Sequence, residues 1–143
     1  MAGSEKDMYI HHVGYLCKDM EKTKMDFLSL GYVVEQEAIR DELRDLDILF
    51  LRNGAYRIEL VKPNRNSSIY PLLKTYKNAP YHICYGVANL EDAIASFTLK
   101  GGYIVIQEPM CAPAIRNRKV CFLVKKSLGM IELVEEKENG SNS

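Results

Sequence analysis

The chain is written twice, and that limits its folding options more than any other feature. Ile58-Glu59-Leu60-Val61 returns as Ile131-Glu132-Leu133-Val134, and His12-Val13-Gly14-Tyr15 returns as His82-Ile83-Cys84-Tyr85. A shift of 70 places sets His12 on His82, Tyr15 on Tyr85, Asp19 on Asn89, Phe27 on Phe97 and Gly31 on Gly101. Small insertions widen the shift to 72, where Ile48-Leu49-Phe50-Leu51 meets Val120-Cys121-Phe122-Leu123, and to 73 at the two Ile-Glu-Leu-Val runs. Each copy therefore has to form the same supersecondary unit, opened by a histidine and closed by a glutamate.

Apolar alternation, turn residues and cap residues define that unit. Tyr9–Leu16 reads as a strand with Ile10, His12, Gly14 and Leu16 on one face. Asp19 is placed to cap a helix that runs to Leu30 and stops at Gly31. Tyr32–Gln36 is a second strand, Glu37–Arg44 a charged connector, and Leu46–Leu51 a third strand. A turn at Arg52-Asn53-Gly54-Ala55 leads into a fourth, Tyr56–Val61. The second copy gives strand Tyr81–Val87, helix Leu90–Lys100 behind Asn89, and strand Tyr103–Gln107. A proline-containing loop, Glu108–Asn117, then precedes strands Lys119–Val124 and Met130–Val134. Both copies are β-α-β-β-β, so the expected class is α+β. The expected division is module one at 9–62, a linker at 63–79 in which Leu72–Tyr76 is helical, and module two at 80–135. Residues 1–8 and 136–143 are expected to be flexible termini.

Charge and composition narrow the function. Nineteen basic residues balance nineteen acidic ones, so no net field gathers a phosphate backbone, and neither nucleic acid nor a membrane surface is expected as partner. No apolar run approaches the roughly 20 residues that span a bilayer. The opening Met-Ala-Gly-Ser-Glu-Lys-Asp lacks the regions of a signal peptide, which makes the cytoplasm the expected compartment. Cys17, Cys84, Cys111 and Cys121 show no CxxC spacing and read as reduced packing residues.

A carboxylate inside an apolar strand needs a partner, and here one histidine and one such glutamate recur in register in both copies. His12, Glu59, His82 and Glu132 are accordingly the candidate ligands of a single metal ion, if the copies pack about an approximate twofold axis. Two imidazoles and two carboxylates suit zinc, nickel, cobalt, manganese or ferrous iron better than calcium or cuprous copper. His11 aligns with Tyr81, so the repeat selects His12 over its neighbour.

These segments, with Leu30-Gly31-Tyr32, Tyr81-His82-Ile83-Cys84-Tyr85-Gly86-Val87 and Gly129-Met130-Ile131-Glu132, resemble the vicinal oxygen chelate superfamily over residues 9–135. That superfamily includes glyoxalase I, methylmalonyl-CoA epimerase, extradiol dioxygenases and antibiotic-binding resistance proteins. The resemblance implies a cup of two curved mixed sheets, with the four candidate ligands around one divalent ion (nickel, zinc or cobalt), and a homodimer. A carboxylate at the position of Glu59 argues against extradiol oxygen chemistry, and the full ligand set points to the glyoxalase I and epimerase branches.

Both of those branches move a proton on carbon beside a carbonyl. In the glyoxalase I type the substrate is a thiol adduct, an enediolate forms, and a liganding glutamate serves as base, which by position is Glu132 or Glu59. In the epimerase type the substrate is an acyl-CoA and a third-strand carboxylate also matters. Asp47 holds that strand, with Leu49 and Leu51 on its face and Ile48 and Phe50 opposite; its counterpart is Lys119. The run Ala112–Phe122 is similar to compact bacterial glyoxalase I-like proteins, whereas the linker resembles that of epimerases. Arg116 and Arg118 are candidates for holding a substrate carboxylate or phosphate. The expected function is a glyoxalase I-like lyase, with an epimerase and a non-catalytic small-ligand binder as alternatives.

Overall fold

In a computed structural model the described residues are 8–136. Most of the termini expected to be flexible (1–7 and 137–143) lie outside them. Met8 and Glu136 lie inside: Met8 packs against a buried core, and the Glu136 N–H donates to the Val87 carbonyl at 2.7 Å.

The elements follow the repeat. The first copy gives β1 (Tyr9–Leu16), α1 (Met20–Leu28), β2 (Val33–Asp41), β3 (Leu46–Asn53) and β4 (Tyr56–Pro63). After α2 (Leu72–Tyr76) the second gives β5 (Ala79–Val87), α3 (Leu90–Lys100), β6 (Ile104–Ala112), β7 (Arg118–Lys125) and β8 (Gly129–Glu135), with a 3₁₀ turn at Pro113–Ile115. The chain is α+β, two tandem β-α-β-β-β modules, as the repeat required. Strand order is β2-β3-β4-β1 in the first module and β5-β8-β7-β6 in the second. β1 pairs parallel to β4 and β5 parallel to β8, while the remaining pairs within each module are antiparallel, so both sets are mixed.

Packing divides the chain into two compact units, His12–Tyr81 and the residues up to His11 together with those from His82 on. The cuts fall immediately before His12 and before His82. The linker therefore packs with the first unit, and the start of β1 with the second, where the Tyr9 ring lies directly over Gly86.

Each unit buries one face of its strands under its helix. In the first, Cys17, Leu49, Leu51 and Leu60 form the core, against which Tyr15, Met20 and Phe27 pack. In the second, Cys121, Leu123, Ile131 and Leu133 do so with Leu90, Ile94 and Phe97. Both long helices start at the cap the sequence named. The Asp19 carboxylate accepts from Lys22 N–H at 3.0 Å, and Asn89 Oδ1 from Asp92 N–H at 2.9 Å. The first helix stops at Leu28, two residues before the expected Leu30. Its end tightens into i to i−3 bonds, Leu30 N–H to Phe27 O at 2.9 Å, ahead of Gly31 at φ +97°.

The larger departures are the second strand of each copy. β2 runs on through Asp41, into the expected charged connector, and β6 runs on through Ala112, into the expected proline loop. Both strands carry bulges, between Val34 and Gln36 and between Gln36 and Ile39 in one, between Val105 and Gln107 and between Gln107 and Met110 in the other. A bulge inserts a residue and breaks the two-residue alternation, so the strand beyond it reads as irregular sequence. Pro109 is tolerated because β6 ends its module's strand order and the proline sits in the bulge.

Candidate metal centre

Register sets each histidine beside its glutamate. Gly14 pairs with Glu59 across the parallel β1–β4 ladder, and Cys84 with Glu132 across β5–β8. His12 and His82 lie two residues earlier on those strands, hence on the same face as the glutamates. That face is opposite the helix-covered one, because Leu60 and Leu133, the next residues along, belong to the cores. His12 Nε2 stands 3.2 Å from Glu59 Oε1, with side chains 0% and 5% exposed, and His82 Nε2 stands 3.0 Å from Glu132 Oε1, at 0% and 3%.

The third strand of each unit supplies an aromatic wall. Phe50 pairs with Glu59 and Phe122 with Glu132. The His12 and Phe50 rings meet edge to face at 5.3 Å and 77°, and the His82 and Phe122 rings at 5.2 Å and 89°. Such contacts fix the imidazole plane and line the site with hydrocarbon, which strengthens any charge interaction inside it. Beyond the phenylalanines, Gln36 pairs with Phe50 and Gln107 with Phe122. Phe50, Phe122, Gln36 and Gln107 were not singled out from sequence. Their signal was present, since the two phenylalanines coincide at shift 72 and the two glutamines at 71.

The donor chemistry fits a divalent cation. With metal–ligand bonds of about 2.0–2.2 Å, neighbouring octahedral donors stand about 3 Å apart. The Nε2 to oxygen separations of 3.2 and 3.0 Å match that edge. They also lie within range of a direct imidazole–carboxylate contact. Each unit thus supplies one buried imidazole nitrogen and one buried carboxylate, donor types that suit borderline divalent cations.

The other expected residues are placed differently. Asp47 is not brought to the His12–Glu59 pair. Unbroken β3–β4 register puts it opposite Lys62, on the face away from Phe50, with Arg40 Nε at 3.8 Å. No carboxylate of β3 therefore shares the face of Glu59, where Leu46, Ile48 and Phe50 lie. Arg118, by alternation with Val120 and Phe122, is on the Glu132 face of β7, and its Nε is buried without a hydrogen-bond partner among the described residues. Arg116 is exposed in a left-handed turn at φ +55°. None of the four cysteines forms a disulfide among the described residues. Burial pushes the Cys17 and Cys121 thiols up to about 11, so both stay protonated near neutrality and serve as apolar filler.

Known proteins share this organisation. The family model of the Glyoxalase/Bleomycin resistance protein/Dioxygenase superfamily matches residues 11–122. The uncharacterized protein YwkD of Bacillus subtilis (strain 168) is 26% identical over 132 residues, 89% of this chain and 96% of that one. The crystal structure of a hypothetical protein from Bacillus halodurans C-125 superposes with a TM-score of 0.79 at 25% identity, covering 94% of this chain and 99% of the other. A variant of the Streptomyces coelicolor methylmalonyl-CoA epimerase, in complex with 2-nitronate-propionyl-CoA, gives a TM-score of 0.73 at 24% identity, over 88% and 95%. Among the described residues no helix is long and apolar enough to cross a membrane.

Proposed function

Since the chain belongs to the glyoxalase/bleomycin resistance protein/dioxygenase superfamily, we propose that His12, Glu59, His82 and Glu132 together hold one divalent metal ion, nickel, zinc or cobalt, in a glyoxalase I-like lyase. The observation that carries this reading is the buried histidine–glutamate pair that each unit builds from equivalent strands and backs with an equivalent phenylalanine. A random pair of buried ionisable residues would not repeat its wall and its register.

The bound ion would supply Lewis-acid stabilisation of the oxygen beside the carbon that loses its proton. The chain's own part is to remove and return that proton. With no β3 carboxylate on the Glu59 face, the base falls to Glu59 or Glu132, whose oxygens lie within a few ångströms of their histidines in a setting poor in water. His12 and His82 fix the two carboxylates in place. Phe50 and Phe122 exclude solvent, which prevents protonation of the carbanion from bulk water. Arg118 has a buried donor available for an anionic group of the substrate, the carboxylate of a thiol such as glutathione being the class expected. We place Arg116 at the outer edge of that contact, and expect the protein to act as a homodimer.

The second reading is an epimerase acting on an acyl-CoA. It is supported by the shared fold of methylmalonyl-CoA epimerases and opposed by the position of Asp47, the only third-strand acid proposed for that role. The test begins with elemental analysis of the purified protein, followed by assay of the methylglyoxal–glutathione hemithioacetal after stripping and reloading with nickel, cobalt or zinc. Turnover restored by one of these ions supports the lyase. Failure with all three, together with solvent deuterium entering methylmalonyl-CoA, would replace it with the epimerase. A protein that holds no stoichiometric metal is instead a ligand-binding member.

A further inference from the structure

A second concave site lies within the first unit, formed where the linker folds back on the ends of β1 and β4. It encloses about 750 Å³ and is lined by Lys18, Lys62, Arg65 and Lys74, with Tyr70 and Leu73 as flat and apolar walls. No carboxylate lines it. In a chain whose charges sum to zero, four cations on one wall are a marked local departure. None of the four takes part in an ion pair among the described residues.

The pocket's scaffold is fixed by hydrogen bonds. Lys62 Nζ donates to Asn64 Oδ1 at 2.8 Å, which aims the ammonium without cancelling its charge. The Lys18 N–H donates to Asn78 Oδ1 at 3.1 Å, and the Asn66 N–H to Asp45 Oδ2 at 2.8 Å, which tie both ends of the linker down. Asp45, whose Oδ2 accepts that Asn66 N–H, is also engaged by Arg40 at 2.6 Å. Lys62 points to the face opposite Glu59, by strand alternation, so this pocket is separate from the His12–Glu59 pair.

We propose that this pocket binds a nucleoside diphosphate-type ligand, its phosphates on the four cations and its base or sugar against Tyr70 and Leu73. Even with Asp47 opposite Lys62 on the neighbouring strand, four cations around one pocket favour a ligand that carries at least two negative charges, more than a monocarboxylate brings. The volume lies within the range of small-molecule sites and exceeds what a bare phosphate fills. The ring and leucine give a planar apolar group somewhere to pack.

The test is calorimetric titration of the full-length protein with ADP, pyrophosphate and adenosine in separate runs. EDTA is present throughout, so that no phosphate is read through a metal ion. Saturable one-site ADP binding is expected, weakening between about 50 and about 150 mM salt, with pyrophosphate weaker and adenosine undetected. Arg65→Gln with Lys74→Gln, both exposed, should weaken ADP about tenfold or more at unchanged ligand-free Tm. Lys18→Gln serves as the independent variant if that pair lowers Tm. Lys125→Gln with Lys126→Gln, in the β7–β8 turn, should change nothing. No saturable heat up to about 5 mM ADP overturns the site. Equal weakening by the two double variants does the same, and pyrophosphate binding as tightly as ADP overturns the nucleotide class.

Discussion

The two modules make the same histidine–glutamate–phenylalanine arrangement from sequences that have drifted almost everywhere else, and they differ in what surrounds it. Module one carries Leu46 and Asp47 where module two carries Arg118 and Lys119. It has a leucine at Leu49 and a cysteine at Cys17, where module two has Cys121 and Val87. It is followed by a basic pocket, while module two is covered at its start by Tyr9 over Gly86. Under the proposed function the shared parts would hold the ion, and the unshared parts would be free to recognise an asymmetric substrate.

The largest expected effects test the shared part. His12→Ala and His82→Ala should each lower metal content to well under one equivalent and activity by about a hundredfold or more. Unequal metal loss would show that the modules do not contribute alike. Glu59→Gln and Glu132→Gln sharpen the comparison, because only one glutamate has to act as base. That variant should lose a further 10²- to 10⁴-fold in kcat, by order of magnitude. Equal kcat for the two would mean that the base lies elsewhere.

Next come the differences in packing. At Gly86 a Cβ would run into the ring atoms of Tyr9. Gly86→Ala should therefore cost about 1–3 kcal/mol and lower Tm by several degrees, and a second change, Tyr9→Ala, should recover part of the loss. Recovery failing in thermal melts would place the strain in the backbone instead. Asp47→Asn should leave kcat within about twofold under either chemistry, since the acid faces away from Glu59. A loss of a hundredfold would restore it as a catalytic residue and favour the epimerase.

The smallest effect is on pH. Burial raises the Cys17 and Cys121 thiols from 9.0 to about 11, so between those values the folded chain holds protons that the unfolded chain has released. Unfolding free energy should then fall as pH rises from 9 to about 11, and not below 9. Cys17→Val and Cys121→Leu, each taking the residue of the other module, should flatten that slope in denaturant titrations at pH 8, 9.5 and 10.5, chosen as roughly spaced points across the window.

The repeat alone determined most of this protein: the two β-α-β-β-β modules, Asp19 and Asn89 as caps, and the histidine and glutamate of each pair. Those features are local, or are copied at a fixed spacing, so a linear reading reaches them. Strand alternation also put Asp47 with Leu49 and Leu51. What it lacked was which face carried the helix, and so whether Asp47 stood with Glu59 or away from it. Tertiary packing decided that, by burying Leu49, Leu51 and Leu60 beneath α1. It also decided that β2 and β6 continue past their bulges, because cross-strand hydrogen bonds from β3 and β7 hold backbone that alternation no longer marks. The basic pocket, finally, unites Lys18 with Lys74 across 56 residues (74 − 18), a proximity created by the fold of the linker and written in no local pattern.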